Sequence, residues 1–145
     1  VIEAQKYKFS RLLAPISLAG GASATSIIVD TLGFSYADVV VFFGDINASG
    51  VTVLKIQEDD AVGGGSATDI PGATFAGALP VNADDNGAFS VKFPLGAGRK
   101  RYLKLVLTNA ATNPTLASAF VLLHRADEVP NTIAERGLAD EIILS

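Results

Sequence analysis

The chain of 145 residues contains no cysteine, no methionine and no tryptophan, and one histidine, His124. Without cysteine there is no disulfide framework and no thiolate zinc site. One imidazole alone makes a histidine-based zinc site or a metal cluster hydrolase a poor fit. Nucleophilic catalysis would require a serine beside His124 and an acid to orient it, and the GxSxG pattern is missing. Tyrosine is scarce, with three residues against eight phenylalanines. Exposed tyrosine and tryptophan are the usual platforms for sugar rings. Charge is sparse too, at 18% of residues, and the net charge of -4 lacks the positive field that nucleic acid requires. Apolar runs are short, as at Val39–Phe43, far below the roughly 20 residues of a membrane helix.

Position 1 is valine, which is consistent with removal of an initiator methionine, and Val1–Phe9 carries Glu3, Lys6 and Lys8 where a secretory signal would have an apolar core. Hydrophobic residues make up 49% and the mean hydropathy is +0.38. This excess belongs in a core or in contacts with other chains.

Short β-rich runs alternate with Gly, Pro, Asn and Asp. Tyr7 and Phe9 alternate with Lys6 and Lys8 and predict a first strand or arm. Thr25–Leu32 reads as one β-branched strand ended by Gly33. Val39–Phe43 is apolar without alternation, which predicts a central strand covered on both sides. Val51–Gln57 follows, then a loop with Glu58-Asp59-Asp60 and Gly63-Gly64-Gly65-Ser66. Asp69–Phe75, interrupted by Pro71 and Gly72, predicts an edge strand. Phe89–Phe93 and Tyr102–Thr108 alternate cleanly. In Leu116–Leu123 both alternating sets are largely apolar. About eight β-segments with regular turn signals predict an all-β, antiparallel sandwich or barrel. The predicted organisation is an N-terminal strand or arm over 1–20, a β-sandwich body over 21–125 and a C-terminal arm over 126–145. Within the last, Thr132–Ile143 suits one or two helical turns or an extended arm.

The remaining motifs carry little chemistry. Glu58-Asp59-Asp60 and Asp84-Asp85-Asn86 lack calcium-loop spacing and read as solvated loops. Gly63–Ser66 and Gly96–Lys100 lack the spacing and the Lys-Ser/Thr pair of a phosphate loop. No cofactor is expected.

Three stretches together carry a resemblance. They are Ile28-Val29-Asp30-Thr31-Leu32-Gly33-Phe34-Ser35-Tyr36-Ala37-Asp38-Val39-Val40-Val41, then Lys55-Ile56-Gln57-Glu58-Asp59-Asp60, then Gly98-Arg99-Lys100-Arg101-Tyr102-Leu103-Lys104-Leu105. In order and spacing they resemble the capsid decoration, or cement, proteins of tailed bacteriophages. The family's aromatic-rich segment before the Arg-Tyr pair is here Leu95-Gly96-Ala97-Gly98. The resemblance implies a jelly-roll-like β-sandwich that is not an enzyme. It implies a virion protein made in the host cytoplasm, with the major capsid protein as partner and self-association as a dimer or trimer. Neither nucleic acid nor membrane is an expected partner.

On this reading Tyr7, Phe9 and Leu12 would anchor the N-terminal arm to a neighbour. Arg99 and Arg101 would meet acidic capsid surface, and Ile133, Leu138, Ile142 and Leu144 would anchor the C-terminal arm. The plainer alternatives are a first core strand, solvated arginines and a tail folded on its own domain. The competing function is a carbohydrate- or ligand-binding β-sandwich module.

Overall fold

A computed structural model describes residues 6–96, 98–126, 134–135 and 137–139. The strands are β1 (Lys8–Leu18), β2 (Ser23–Thr25), β3 (Val29–Asp30), β4 (Phe34–Phe43), β5 (Val51–Asp59), β6 (Thr68–Asp69), β7 (Ala88–Pro94), β8 (Tyr102–Asn109) and β9 (Thr115–Ala126). They form two antiparallel sheets, a four-stranded one ordered β1-β9-β4-β7 and a five-stranded one ordered β2-β8-β5-β6, with β3 also on β8. The chain is therefore the all-β sandwich that its alternating runs predict. Among the described residues no helix is long and apolar enough to cross a membrane.

Alternation puts one apolar set from each strand between the sheets. β8 contributes Leu103, Leu105 and Leu107, and β5 contributes Leu54 and Ile56. Ala37, Val39, Val41 and Phe43 of β4 and Val121 and Leu123 of β9 face them. Each such large side chain stabilises the fold by about 1.5–3 kcal/mol on burial.

A polar staple closes one end. Asn47 Nδ2 donates to the carbonyls of Ala110 (2.8 Å) and Asn113 (2.7 Å). Asn109 Nδ2 donates to Leu18 O (3.0 Å) and Asn113 O (2.8 Å). Thr115 Oγ1 donates to Asn109 Oδ1 (2.8 Å) and accepts from Asn47 N (2.9 Å). All three side chains are buried, so each lost partner would leave a polar group stranded.

Several expectations are corrected. Lys8–Leu18 pairs along β9, so the sandwich begins at Lys8 and not at residue 21. The single strand expected over Thr25–Leu32 is split into β2 and β3. The buried Ser26 causes the split: its Oγ accepts from Leu105 N (2.8 Å) while Ile27 N turns away to Leu12 O (3.2 Å). The edge strand expected over Asp69–Phe75 shrinks to β6. Beyond it Ile70 and Ala73 bond the backbone of Ile56 as a turn. In the C-terminal stretch, the described residues around Gly137 form a turn, with Gly137 N donating to Ala134 O (2.9 Å). Gly137 has φ +77, and a Cβ there would collide with the Phe9 carbonyl oxygen, so only glycine fits against β1.

Candidate functional site

β4 is central as expected, but only one of its faces is core. Val39 and Val41 point inward, while Phe42 is 46% exposed on the other face. β9 lies beside it with the register Tyr36↔His124, Asp38↔Leu122, Val40↔Phe120 and Phe42↔Ser118. These residues form the outer face of the four-stranded sheet. β1 adds Phe9 opposite Leu122 and Arg11 opposite Phe120. β7 adds Lys92 opposite Asp38 and Ser90 opposite Val40.

Two aromatic groups stand on this face. Phe42 stacks on Phe120 at 5.8 Å and 25°, and Phe120 meets Phe9 at 6.1 Å. Beside them Leu116 (43% exposed) and Ile16 (37% exposed) line a shallow open dent with Pro15, Phe42 and Gly44. At the other end Tyr36 stacks on His124 at 5.4 Å and 20°, Tyr7 meets His124 edge-on at 5.9 Å, and the Arg125 guanidinium lies 5.3 Å over Tyr36. His124 Nε2 is 3.6 Å from Asp38 Oδ1, too long for a hydrogen bond, and Lys92 Nζ is 3.6 Å from Asp38 Oδ2. That imidazole nitrogen is buried and has no hydrogen-bond partner among the described residues.

The ring geometry decides what such a face presents. Near-parallel rings at 5.4–5.8 Å are offset-stacked. Each ring of these pairs therefore lies partly against its neighbour.

The outer face of the five-stranded sheet is chemically different. Lys55, Gln57, Lys104 and Asp69 line it together with the half-buried Val106 and Tyr102, and the polar groups are satisfied within the chain. Lys55 Nζ donates to Asp69 Oδ2 (3.1 Å), Gln57 Nε2 to Asp69 Oδ1 (2.7 Å) and Lys104 Nζ to Gly64 O (2.9 Å). The Gln57 and Lys55 bonds hold the Asp69 carboxyl below its usual pKa. Asp59, at the end of β5, is lowered chiefly by the Ala61 N–H, with help from Ser66. Asp30 of β3 is lowered chiefly by the Arg101 side chain.

The expected contact residues fall in several places. Phe9 and Tyr7 belong to the aromatic face. Leu12 does not: it is 1% exposed in the core, because alternation with the outward Phe9 and Arg11 puts it on the inner face, so it has no side chain to offer a neighbour. Arg101 is committed to a two-pronged bond with Asp30 (Nε 2.8 Å, Nη2 2.7 Å). Arg99 Nε lies 3.6 Å from the buried Glu58. Both arginines thus tie loops to their own sandwich. Leu138 is half-buried, and Ile133, Ile142 and Leu144 lie outside the described residues.

Phe42, Phe120, Tyr36, His124 and Leu116 are the residues that pattern reading missed. The signal was present in β9, whose two alternating sets are both apolar. In a two-layer sandwich one of those sets must face outward.

No family model matches the chain, and no curated protein matches it. Three solved structures of similar fold are remote. BuGH86 in complex with neoagarooctaose aligns at TM-score 0.41 and 12% identity, over 81% of this chain and 18% of that one. The GH115 4-O-methyl-α-glucuronidase BtGH115A aligns at 0.40 and 10%, over 84% and 17%. An exo-β-1,3-galactanase from Phanerochaete chrysosporium aligns at 0.32 and 11%, over 80% and 27%. This chain thus spans about a fifth of the first two. Likeness this remote carries no functional argument.

Proposed function

We propose that this chain is a structural, non-catalytic binding protein that docks through the outer face of its four-stranded sheet onto a protein shell, and that the shell is a phage capsid. One observation carries the docking surface: Phe9, Phe42, Phe120, Leu116 and Ile16 form an apolar stripe that the described residues leave open. Exposed aromatic and aliphatic side chains grouped in this way are what the desolvated centre of a protein interface is made of. The resemblance to cement proteins supplies the capsid. Many copies on a repeating lattice turn modest single-site affinity into firm attachment.

A carbohydrate-binding reading draws on the other end of the same face, where Tyr7, Tyr36 and His124 adjoin Asp38, Lys92 and Arg125. Aromatic rings beside hydrogen-bonding groups are what a sugar site requires. Stacking on a sugar also requires a bare ring face. Here His124 and Arg125 already lie against Tyr36, which favours the protein partner.

The test is co-sedimentation with capsid shells stripped of decoration, alongside a glycan array. Saturable shell binding that Phe42→Asp abolishes and Lys55→Ala leaves intact supports the proposal. Binding that ignores Phe42, or a glycan signal lost on Tyr36→Ala with no shell binding, overturns it.

A further inference from the structure

A second surface lies at the edge of the same sheet, apart from the aromatic face and independent of its function. β7 pairs with β4 in unbroken register, including Ala37↔Phe93, Val39↔Val91 and Val41↔Phe89. The flanking bonds, Phe43 N to Gly87 O (2.9 Å) and Leu95 N to Ser35 O (2.8 Å), set the phase of the ladder. Alternation then aims the backbone groups of Phe89, Val91 and Phe93 at β4, and those of Ala88, Ser90, Lys92 and Pro94 away from it. No hydrogen bond among the described residues takes up those outward groups. They form a row of unpaired donors and acceptors, broken only by the missing N–H of Pro94.

The other edges are blunted. β1 carries two register shifts and Pro15. Its Leu12 carbonyl accepts from Ile27 N, and Gly137 packs on its Phe9 carbonyl. β2, β3 and β6 are two or three residues long. Among the described strands, β7 is the long, regular and open edge, the kind that natural sheets cover or pair.

The sequence of β7, Ala-Phe-Ser-Val-Lys-Phe-Pro, is nearly symmetric about Val91. We infer that β7 pairs antiparallel with β7 of a second copy, about a two-fold axis at Val91, joining two four-stranded sheets into one. In that register Ser90 and Lys92 of one copy bond Lys92 and Ser90 of the other, and each Ala88 N–H bonds the opposite Pro94 carbonyl. Phe89 faces the second copy's Phe93 on the core side, a favourable cross-strand pair. Lys92 meets serine instead of a second lysine, and its ammonium leans over β4 toward Asp38, 3.6 Å away. The interface is isologous and closes at two copies.

Sedimentation equilibrium over a wide concentration range tests this. The expected species is a dimer, twice the 15.0 kDa chain. Ser90→Pro removes an outward N–H and spares the β4 ladder, so it should give a folded monomer by circular dichroism. Val91→Cys should cross-link to a dimer on oxidation, while Ser10→Cys on β1 should not. A wild-type monomer at every concentration overturns the inference, as does a dimer that persists in folded Ser90→Pro. Should Ser90→Pro fail to fold, absence of the Val91→Cys cross-link overturns it.

Discussion

The two sheets of this sandwich share one core and turn opposite chemistries outward. The outer face of the five-stranded sheet is a set of closed accounts: Lys55, Gln57 and Asp69 bind one another, and Lys104 caps the loop at Gly64. The outer face of the four-stranded sheet holds stacked rings and aliphatic side chains. The first gains little from a partner, because binding would exchange satisfied hydrogen bonds for others. The second gains from any partner that removes its apolar area from water. A sandwich needs one apolar set per strand for its core. The second apolar set on β4 and β9 lies outside that core and stays partly exposed.

This contrast can be broken by mutation. The largest expected effect is on binding: Phe42→Asp places a charge in the apolar stripe and should weaken shell attachment by about 3 kcal/mol, on the order of 100-fold. Its melting temperature should stay near that of the parent, because Phe42 is not core. Lys55→Ala, on the polar face, should leave binding unchanged. Next, Phe120→Ala removes the ring between Phe9 and Phe42. It should cost about 2 kcal/mol in urea unfolding, less than a fully buried Phe because Phe120 is half-buried, and should weaken binding as well.

Acid should then separate the sheets. Asp30, Asp59 and Asp69, all on the five-stranded sheet, have lowered pKa values. A lowered native pKa contributes stability that is fully present above the unfolded value. That stability is lost as pH falls below 3.8 through the lower native values. Unfolding curves from neutral pH downward should show a loss in that window, and Asp59→Asn should flatten it. The smallest effect is the Lys55–Asp69 pair. A double-mutant cycle should give a coupling of about 0.5 kcal/mol, reduced by salt, because both side chains are partly exposed.

Much of the sandwich was legible in the sequence. Phe89–Phe93 and Tyr102–Thr108 alternate with period two, and the structure holds them as β7 and β8. The split at Ser26 was not legible, because it depends on a serine hydroxyl meeting Leu105 N from a strand far along the chain. The pairings of Arg99 and Arg101 were hidden for the same reason: Glu58 and Asp30 reach them only through the fold. The candidate site was half legible. Phe9 and Tyr7 were picked out, whereas Val39–Phe43 reads equally as a strand buried on both sides. Which side of β4 stays open depends on whether a third layer covers it, and local pattern does not encode that.

The most direct measurement is hydrogen exchange of the protein free and bound to stripped capsid shells. New protection is expected along β1, β4 and β9, with β5 and β8 unchanged. Protection concentrated on β5, β6 and β8, with the Phe42 and Phe120 amides exchanging as in the free protein, would contradict the proposed docking.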